Sequence, residues 1–362
     1  MRRIHGMIAE VDDLMSNRAD FRTYRLRMVP RVHRLTLIEM QDIFMNLTVP
    51  ELILEKLKLV NLDKDVEFRL NETYPRREFI AQYGESDFAF TCRLAEHLGI
   101  SFYFDHADGR DKLVFTDQPW GFQRLENAET IYFRGRGEER EVYELEAQRR
   151  LIPNYYVVRD YNYRMPQLDL TSEYELPSGY AGGVIEDGNH FKTPAEGKLL
   201  AKVRAEEREA TQLVYLGKSD ICKLGAGMRC TLDDHPDSAA LDLLIVEVEH
   251  EVRLVVAGGG RQADEKTYVN TFRATPGART YRPPRITPKP RIAGLVTGII
   301  DGGELGAGDG KYARLDDQGR YTVRFLFDAT AGTGRGRPAS RPVRMAQNYV
   351  GARRLPGSRC VG

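Results

Sequence analysis

The stretch REFIAQYGESDFAFTCRLAEHLGISFYF, from Arg77 to Phe104, decides the fold. Its first residues indicate a short strand that ends at Phe79 and Ile80, after which Gly84 permits a turn. The apolar residues that follow recur at helical spacing, and the last five residues are typical of a strand. The stretch therefore predicts strand, turn, helix and strand, with one helix face buried against the strands. It contains no cluster of side chains that could perform a reaction.

The helix within this stretch has recognisable ends. Ser86 or Asp87 can cap its amino terminus, and Gly99 supplies a left-handed stop at its carboxyl terminus. The segment ISFYFDHADGRDKLVFTD then reads as two strands joined at an Asp108-Gly109 turn, which is a strong local hairpin signal.

Two further helices carry start signals. Thr48 and Glu51 stand at capping-box spacing with a proline between them, which predicts a helix from about residue 49 to 59. Thr193 and Pro194 can begin a second one, which we interpret as a surface helix between sheet segments. Most other segments alternate apolar and polar residues, as in REVYELEAQRRL, NYYVVRDYNYRMP, SDICKLGAGMRCTL and LDLLIVEVEHEVRLVV. The predicted fold class is mainly β with a few helices (α+β), with a loop at the glycine-rich Ala257–Gly260.

Composition restricts the class of partner. The 362 residues include 53 basic and 53 acidic side chains, so the formal net charge is +0 and the chain as a whole does not attract nucleic acid or anionic lipid. The sequence contains no run of 18 apolar residues, which is the length that a helix needs to span a bilayer. Acidic residues interrupt MRRIHGMIAEVDDLM where a secretory signal needs its apolar centre, so we expect cytoplasmic synthesis and folding. A protein partner fits best.

The sharpest change in composition lies at Ala274–Gly294, where prolines and basic residues replace core-forming residues. We predict an extended interdomain connection over residues 274–291. Strand pairs follow over residues 292–350, with a turn at Asp317-Gln318-Gly319, and they resemble the start of a small barrel. Fewer strands follow than a closed barrel needs, so we expect that another chain closes the barrel or that it stays incomplete.

Candidate phosphate and metal motifs fail on inspection. GKS at Gly217–Ser219 resembles the end of a phosphate loop, but Gln212 replaces the first glycine and a strand follows instead of a helix. His250-Glu251 lacks the second histidine of a metalloprotease helix, so His250 is predicted to be a satisfied surface or cross-strand residue. His97 and His106 could approach each other, but the favoured role of His97 is to complement the dipole at the end of a helix.

The acidic, aromatic and thiol side chains also show no pattern typical of a catalytic or ligand-binding site. The acids of Glu186–Gly188 and Asp233–His235 are interpreted as solvated loop charges, and LDDQG and GDGK as turns without a calcium-ligand pattern. The tyrosines that lie among arginines are better explained by a sheet surface or subunit contact than by stacking on bases: Tyr155, Tyr156, Tyr161 and Tyr163. The widely spaced thiols are predicted to be buried or incidental: Cys92, Cys222, Cys230 and Cys360. We therefore predict no enzyme and no catalytic, cofactor-binding or metal-binding residue.

The order of the segments resembles one family. IHGMIAEV, YRLRMVPRVHRLTL, DIFMNLTVPELILEKL, the stretch that opens with REFIAQ, YRPPRITPKPRIAGLVTGII, GRYTVRFLFD and VRMAQNYVGA are similar, in sequence and order, to VgrG, the spike protein of the type VI secretion system. The resemblance covers roughly residues 2 to 351. It implies a phage-hub-like base domain over residues 1–273 and a partial oligonucleotide/oligosaccharide-binding (OB) barrel over residues 292–350.

The resemblance also implies a structural role. VgrG proteins are homotrimers that sit on the Hcp tube, carry a needle tipped by a PAAR protein, deliver effectors and leave the cell when a sheath contracts. We accordingly expect a cytoplasmic protein that is secreted or injected on firing, and trimerisation would bury strand edges and aromatic rows. The family has further strands before Arg2 and a needle after NYVGA, whereas residues 351–362 diverge. We therefore expect a truncated copy that aggregates on expression, and a defective copy is an open alternative.

Three alternatives remain open from the sequence. A contractile phage or pyocin-like tail hub shares the same ancestry, and gene neighbourhood would distinguish it. A VgrG with a lytic effector domain would carry sequence beyond the barrel. A carbohydrate- or oligonucleotide-binding module on the carboxy-terminal barrel would bind ligand after Pro290, and we expect no binding.

Overall fold

A computed structural model describes residues 3–14, 23–125, 130–134, 141–236, 239–255, 265–300, 315–328 and 340–345. The predicted loop at Ala257–Gly260, the GDGK turn, Cys360 and the 351–362 tail lie outside the described residues. The helices are α1 (Val49–Leu59), α2 (Asp87–Leu98) and α3 (Pro194–Glu209), with short 3-10 helices at Arg31–Leu37 and Pro119–Gly121. In the described part of the chain, no helix is long and apolar enough to cross a membrane.

Strands make up most of the regular structure, which confirms the predicted fold class. In chain order they are β1 (Met7–Asp13), β2 (Tyr24–Val29), β3 (Glu39–Phe44), β4 (Val66–Arg69), β5 (Ile80–Ser86), β6 (Ser101–Asp105), β7 (Lys112–Thr116), β8 (Gln123–Arg124), β9 (Thr130–Tyr132), β10 (Val142–Arg149), β11 (Tyr155–Asp160), β12 (Leu170–Glu175), β13 (Gly183–Asp187), β14 (Leu213–Ser219), β15 (Met228–Asp233), β16 (Leu241–Val255), β17 (Glu265–Pro276), β18 (Gly298–Ile300), β19 (Tyr321–Phe325) and β20 (Ser340–Val343).

The chain forms two compact units that interleave along the sequence. Unit 1 comprises residues 1–31, 62–73 and 94–286, and unit 2 comprises residues 32–61, 74–93 and 287–362. β17 extends to Pro276, three residues into the segment that composition assigned to the connection. The domain limits drawn from the sequence remain a prediction, as does the OB identity of residues 292–350.

Unit 1 contains a sheet that closes on itself. Its strands follow the order β10-β14-β17-β16-β15, and β9 pairs with β15 in parallel. A bridge between Phe133 and Val142 then joins the end of β9 to β10, where the Arg134 amide donates to the Val142 carbonyl at 2.7 Å. Inward-facing apolar side chains such as Leu232, Leu243 and Ile245 are fully buried and fill the interior. β8 also pairs with β15 in parallel, so seven strands form the sheet of this barrel, as the expected barrel-like fold requires.

Two smaller sheets complete the core of unit 1. β12, β11 and β13 form a sheet against which α3 packs, and its core includes Tyr156 and Ala205. β4, β7 and β6 form another, and the β6–β7 hairpin turns at Asp108-Gly109 as predicted, with Gly109 at φ +73°. The alternation predicted for the tyrosines is confirmed on β11, since Tyr155 is 37% exposed and Tyr156 only 1%.

Unit 2 contains α1, the first half of α2 and two small sheets. β3 pairs with β5, and β18, β19 and β20 form the other sheet. The predicted strand end at Ile80 is wrong, because β5 begins there and continues to Ser86. Gly84, at φ +56°, does not turn the chain; it lies beside a register shift between β3 and β5, where a bulge needs a left-handed residue.

The helix ends follow their sequence signals. Glu51 donates its amide to the Thr48 hydroxyl at 3.2 Å, and Thr48 donates its amide to the Glu51 carboxylate at 2.9 Å, so the capping box is complete. The Ser86 hydroxyl accepts from the Ala89 amide at 3.2 Å. Gly99 has φ +69° and ends α2. Thr193 caps α3, but α3 is more than a surface helix, because Arg204 and Glu206 on it are buried.

Candidate functional site

The GKS segment is a wall of the barrel. A Cβ on Gly217 would stand 2.2 Å from Cζ of Phe272, so the aromatic ring covers the backbone that a phosphate would have to reach. Ser219 is fully buried and donates its hydroxyl to Oδ1 of Asn270 at 2.8 Å. The segment cannot serve as a phosphate loop, as the sequence indicated.

The histidines have structural partners in different places. His250 Nδ1 lies 2.6 Å from the Tyr268 hydroxyl across the β16–β17 pair, which confirms a cross-strand role. His97 lies in the last turn of α2, and Arg204 Nη2 donates to its carbonyl at 2.9 Å. His106 Nδ1 accepts from the amide of His5 at 3.2 Å. His97 and His106 therefore serve separate contacts instead of one shared site.

One acidic residue was misassigned. Glu186 is not a solvated loop charge: it lies on β13 and accepts from Arg285 Nη2 at 2.7 Å and Nη1 at 2.9 Å. Burial alone would raise the pKa of Glu186, but Arg285 and Arg204 hold it below its ordinary value. No local pattern predicts these contacts, because the arginines lie 18 and 99 residues away in sequence. In the other acidic segment, Asp233 is the last residue of β15 and His235 lies two residues beyond the strand.

Metal and thiol chemistry find no support in the described ranges. Nowhere in them do three histidine, cysteine or carboxylate side chains gather as a metal-ligand set. Cys92 and Cys230 are buried as predicted, and Cys222 is exposed. Burial, with a smaller contribution from Asp242, raises the pKa of Cys230 to about 12, so its thiol stays protonated near neutral pH.

Among the residues that the structure describes, a buried lysine in unit 2 has the most unusual surroundings. Lys56 of α1 is 0% exposed, and its Nζ lies 2.6 Å from Oδ1 of Asp87 and 3.8 Å from Oδ2 of Asp42. The same ammonium lies 5.0 Å from the ring centroid of Phe44 and 5.6 Å from that of Phe90. Since both carboxylates are also buried, no surface is available for a substrate. The cluster joins α1, β3 and the start of α2.

A two-stranded ribbon carries the clearest candidate surface for binding another protein. β1 pairs with β2 in unit 1, and the register places Ile8 opposite Met28 and Val11 opposite Leu26. With Tyr24 these residues line one side, which we name the apolar ribbon face: Ile8, Val11, Tyr24, Leu26 and Met28. All five are between 51 and 61% exposed. Large side chains lined up in this way mark an interaction surface.

The other side of the ribbon is polar and internally neutral. Arg27 Nη1 lies 2.6 Å from the carboxylate of Glu10, and Arg25 lies 3.8 Å from that of Asp12. An isolated two-stranded ribbon is marginal in water unless its apolar side is covered. The ribbon is therefore amphipathic, and only its apolar ribbon face calls for a partner.

Phe325 at the end of β19 and Phe327 just after it have aromatic partners within unit 2. The Phe325 ring lies 6.3 Å from that of Phe79, and the Phe327 ring lies 5.4 Å from that of Tyr83, centroid to centroid. Phe325 and Phe327 also stack on each other at 5.5 Å. Binding of single-stranded nucleic acid on a barrel relies on accessible aromatic faces. These contacts argue against the ligand-binding module that the sequence left open.

The chain is similar in sequence to phage tail hubs and to secretion spike proteins. The phage tail baseplate hub (GPD) family matches residues 1–255. The type VI secretion system spike protein VgrG5 of Pseudomonas aeruginosa is 31% identical over 352 residues, which is 90% of this chain and 42% of that protein. The actin cross-linking toxin VgrG1 of Vibrio cholerae is 26% identical over 372 residues, which is 97% of this chain and 32% of the toxin. The chain thus spans less than half the length of these relatives.

A solved structure agrees on the fold. The E. coli c3393 protein, a component of the type VI secretion system with structural similarity to the phage T4 tail proteins gp27 and gp5, superposes with a TM-score of 0.67 at 24% identity. The superposition covers 95% of this chain and 77% of that one, which establishes a shared fold. Because the family match spans well over half of its residues, this chain belongs to the phage tail baseplate hub family.

Proposed function

We propose that this chain is the structural hub of a VgrG-type spike in a type VI secretion system. The observation that carries the proposal is the apolar ribbon face, displayed by a member of the tail-hub family whose sequence resembles secretion spikes. A hub must bind copies of itself and neighbouring tail components, so it needs such surfaces and a rigid interior.

The proposed assembly is a homotrimer seated on the Hcp tube. In it the apolar ribbon face of each copy packs against a neighbouring copy, which would remove five large apolar side chains from water. Since the chain has a formal net charge of +0, copies do not repel one another. PAAR and effector proteins would join the same assembly. It would form in the cytoplasm and leave the cell, or enter a target cell, on sheath contraction.

The proposed role is mechanical and does not include catalysis by the hub itself. The same region of this chain is similar both to a protein named as a spike and to one named as a toxin, and it matches 32% of the toxin's length. The shared hub therefore need not carry the toxin's reaction. Support also comes from the structural roles of GKS and His250 described above.

A second candidate is the hub of a contractile phage or pyocin-like tail. The description of the matching family, a phage tail baseplate hub, favours it directly. Both candidates use the same surfaces, and they differ in the tube protein that the hub must bind.

Co-purification with tube proteins tests the proposal and separates the two candidates. The tagged chain is offered Hcp and a phage tail-tube protein from the same genome, with untagged resin as the control for nonspecific retention. Retention of Hcp is expected. Retention of the phage tube protein alone would favour the second candidate, and retention of neither by the folded chain would contradict both.

A further inference from the structure

The segment that follows β17 in unit 1 is firmly held, although composition suggests a free connection. Residues 277–286 form no helix or strand, yet Arg282 is only 1% exposed. Tyr281 is half-buried, and its ring lies 6.4 Å from that of Phe122. Burial of an arginine in an irregular segment requires specific partners.

Three arginines of this segment recur every third residue and meet acids of α3. Arg279 Nε lies 3.8 Å from the carboxylate of Glu209, and Arg279 Nη1 donates to Oε1 of Gln212 at 2.9 Å. Arg282 Nε donates to Oε2 of Glu206 at 2.7 Å. These acids lie in the last turn of α3, so the segment is held against the carboxyl end of the helix.

The third arginine bridges two elements. Arg285 Nε donates to Oε2 of Glu207 on α3 at 3.0 Å, and its two terminal nitrogens donate to both oxygens of Glu186 on β13. A guanidinium that holds two carboxylates through its fork is geometrically specific. Arg285 therefore ties the segment to the helix and to the sheet at the same time.

The arginines differ in their exposure to solvent, so their ion pairs differ in strength along the segment. The Arg282 side chain is 0% exposed and also donates to the carbonyl of Gly99 at 3.1 Å, whereas the Arg285 side chain is 30% exposed. Salt and water weaken the ion pairs of partly exposed groups more than those of buried groups. The Arg285 end should accordingly open before the Arg282 end.

The buried guanidinium of Arg204 relies on the same carboxylates as the segment. Arg204 of α3 is 2% exposed and lies 3.5 Å from Glu186 and 3.7 Å from Glu207, the two acids that Arg285 also contacts. Burial and the positive charge of Arg285 lower the pKa of Arg204 to about 10. Glu186 and Glu207 thus balance two cations at once.

We propose that residues 279–285 are a strap that three arginines hold against the last turn of α3 and against β13, and that this strap fixes the point on unit 1 from which the chain continues. Exposure rises within the strap itself, since Pro284 and Arg285 are exposed and residues 291–295 beyond it are all exposed. Arg285 is the outer lock and Arg282 the inner one. A hub that transmits force would need its connections held in this way, but the inference stands on the contacts alone.

Limited digestion with trypsin tests the strap, because the segment offers few cleavable bonds. Arg282 and Lys289 precede proline and resist cleavage, which leaves the bonds after Arg279, Arg285 and Arg291. Fragments are identified by mass spectrometry at early times. In the native chain we expect cleavage after Arg291 at least about tenfold faster than after Arg285, since a clamped segment must open before it is cut.

Two variants unlock the strap without removing the cleavage site. Arg285→Lys keeps the charge and the trypsin bond but loses the fork, so cleavage after residue 285 should rise severalfold. Glu186→Gln with Glu207→Gln should raise it further. Glu144→Gln is the matched control, because it removes an exposed ion pair with Lys218 on the barrel, 2.8 Å long, and should leave the pattern unchanged.

The outcomes separate cleanly. Equal cleavage after Arg285 and Arg291 in the native chain would overturn the proposal, as would unchanged cleavage after residue 285 in Arg285→Lys. If the double variant does not fold, Arg285→Lys alone decides. The digestion reports on one chain, so a failure of the strap is distinguishable from a failure of the proposed tube binding.

Discussion

The buried cluster around Lys56 and the apolar ribbon face invert the usual arrangement of polarity. In unit 2 an ammonium and two carboxylates are almost completely removed from water, whereas five large apolar side chains of the unit 1 ribbon face it. The cluster has its partners within the chain, and the charges are paired and hydrogen-bonded. The ribbon has charge pairs only on its other side. The difference indicates that folding of one chain buries the Lys56 cluster completely, whereas the apolar ribbon face is buried only when the chain assembles with a partner.

The largest loss of stability is expected when the buried Lys56 cluster is disrupted. Lys56→Met leaves Asp87 and Asp42 buried without their cation, which should lower the free energy of unfolding by about 3–5 kcal/mol. Denaturant unfolding of the two proteins measures the difference. Lys58→Met is the matched control, since Lys58 lies exposed on the same helix and its loss should change little. Equal stabilities of the two variants would show that the cluster contributes nothing special.

A smaller loss of stability is expected where close packing, and not buried charge, constrains the fold. In Gly99→Ala the new Cβ would stand 2.6 Å from Cγ1 of Val203 and 2.8 Å from Cδ of Arg282, in a left-handed conformation. We expect a loss of about 2–3 kcal/mol in the free energy of unfolding.

The control for that prediction separates backbone strain from crowding. Gly109 has a similar φ of +73°, but a Cβ there would meet nothing within 4 Å. Gly109→Ala should therefore cost only about 1 kcal/mol, the strain of the left-handed conformation. A loss for Gly99→Ala no greater than that for Gly109→Ala, in the same thermal or denaturant unfolding experiment, would refute the role of packing.

Local signals in the sequence predicted local structure well. The capping box of Thr48 and Glu51, the Thr193 cap and the Gly99 stop each depend on residues within one helical turn, and each is confirmed. The strand boundary at Ile80 was missed because a bulge and a turn both call for a glycine in the left-handed conformation.

Contacts between distant residues could not be predicted from the sequence. Lys56 and Asp87 are 31 residues apart, and Arg282 and Glu206 are 76 apart, so no periodicity links them. Exposed arginines are common, and the Pro-rich composition around Arg282 is typical of a solvated linker. The apolar ribbon face was hidden for another reason: a register shift between Ile8 and Glu10 disrupts the simple alternation that marks a strand face.

The smallest effect on folding tests the exposed half of the comparison. Leu26→Lys changes a side chain that is 57% exposed, so the stability of a single chain should stay within about 0.5 kcal/mol, while the apolar ribbon face gains a charge at its centre. Glu10→Gln, on the polar side of the same ribbon, is the control.

The mass of the particle in solution, measured by light scattering after size-exclusion chromatography, tests the central claim most directly. The account predicts that the native chain and Glu10→Gln have three times the mass of one chain and that Leu26→Lys has the mass of one. A native chain that is a stable monomer, or a Leu26→Lys variant that remains a trimer, would contradict the claim that the apolar ribbon face is an assembly surface.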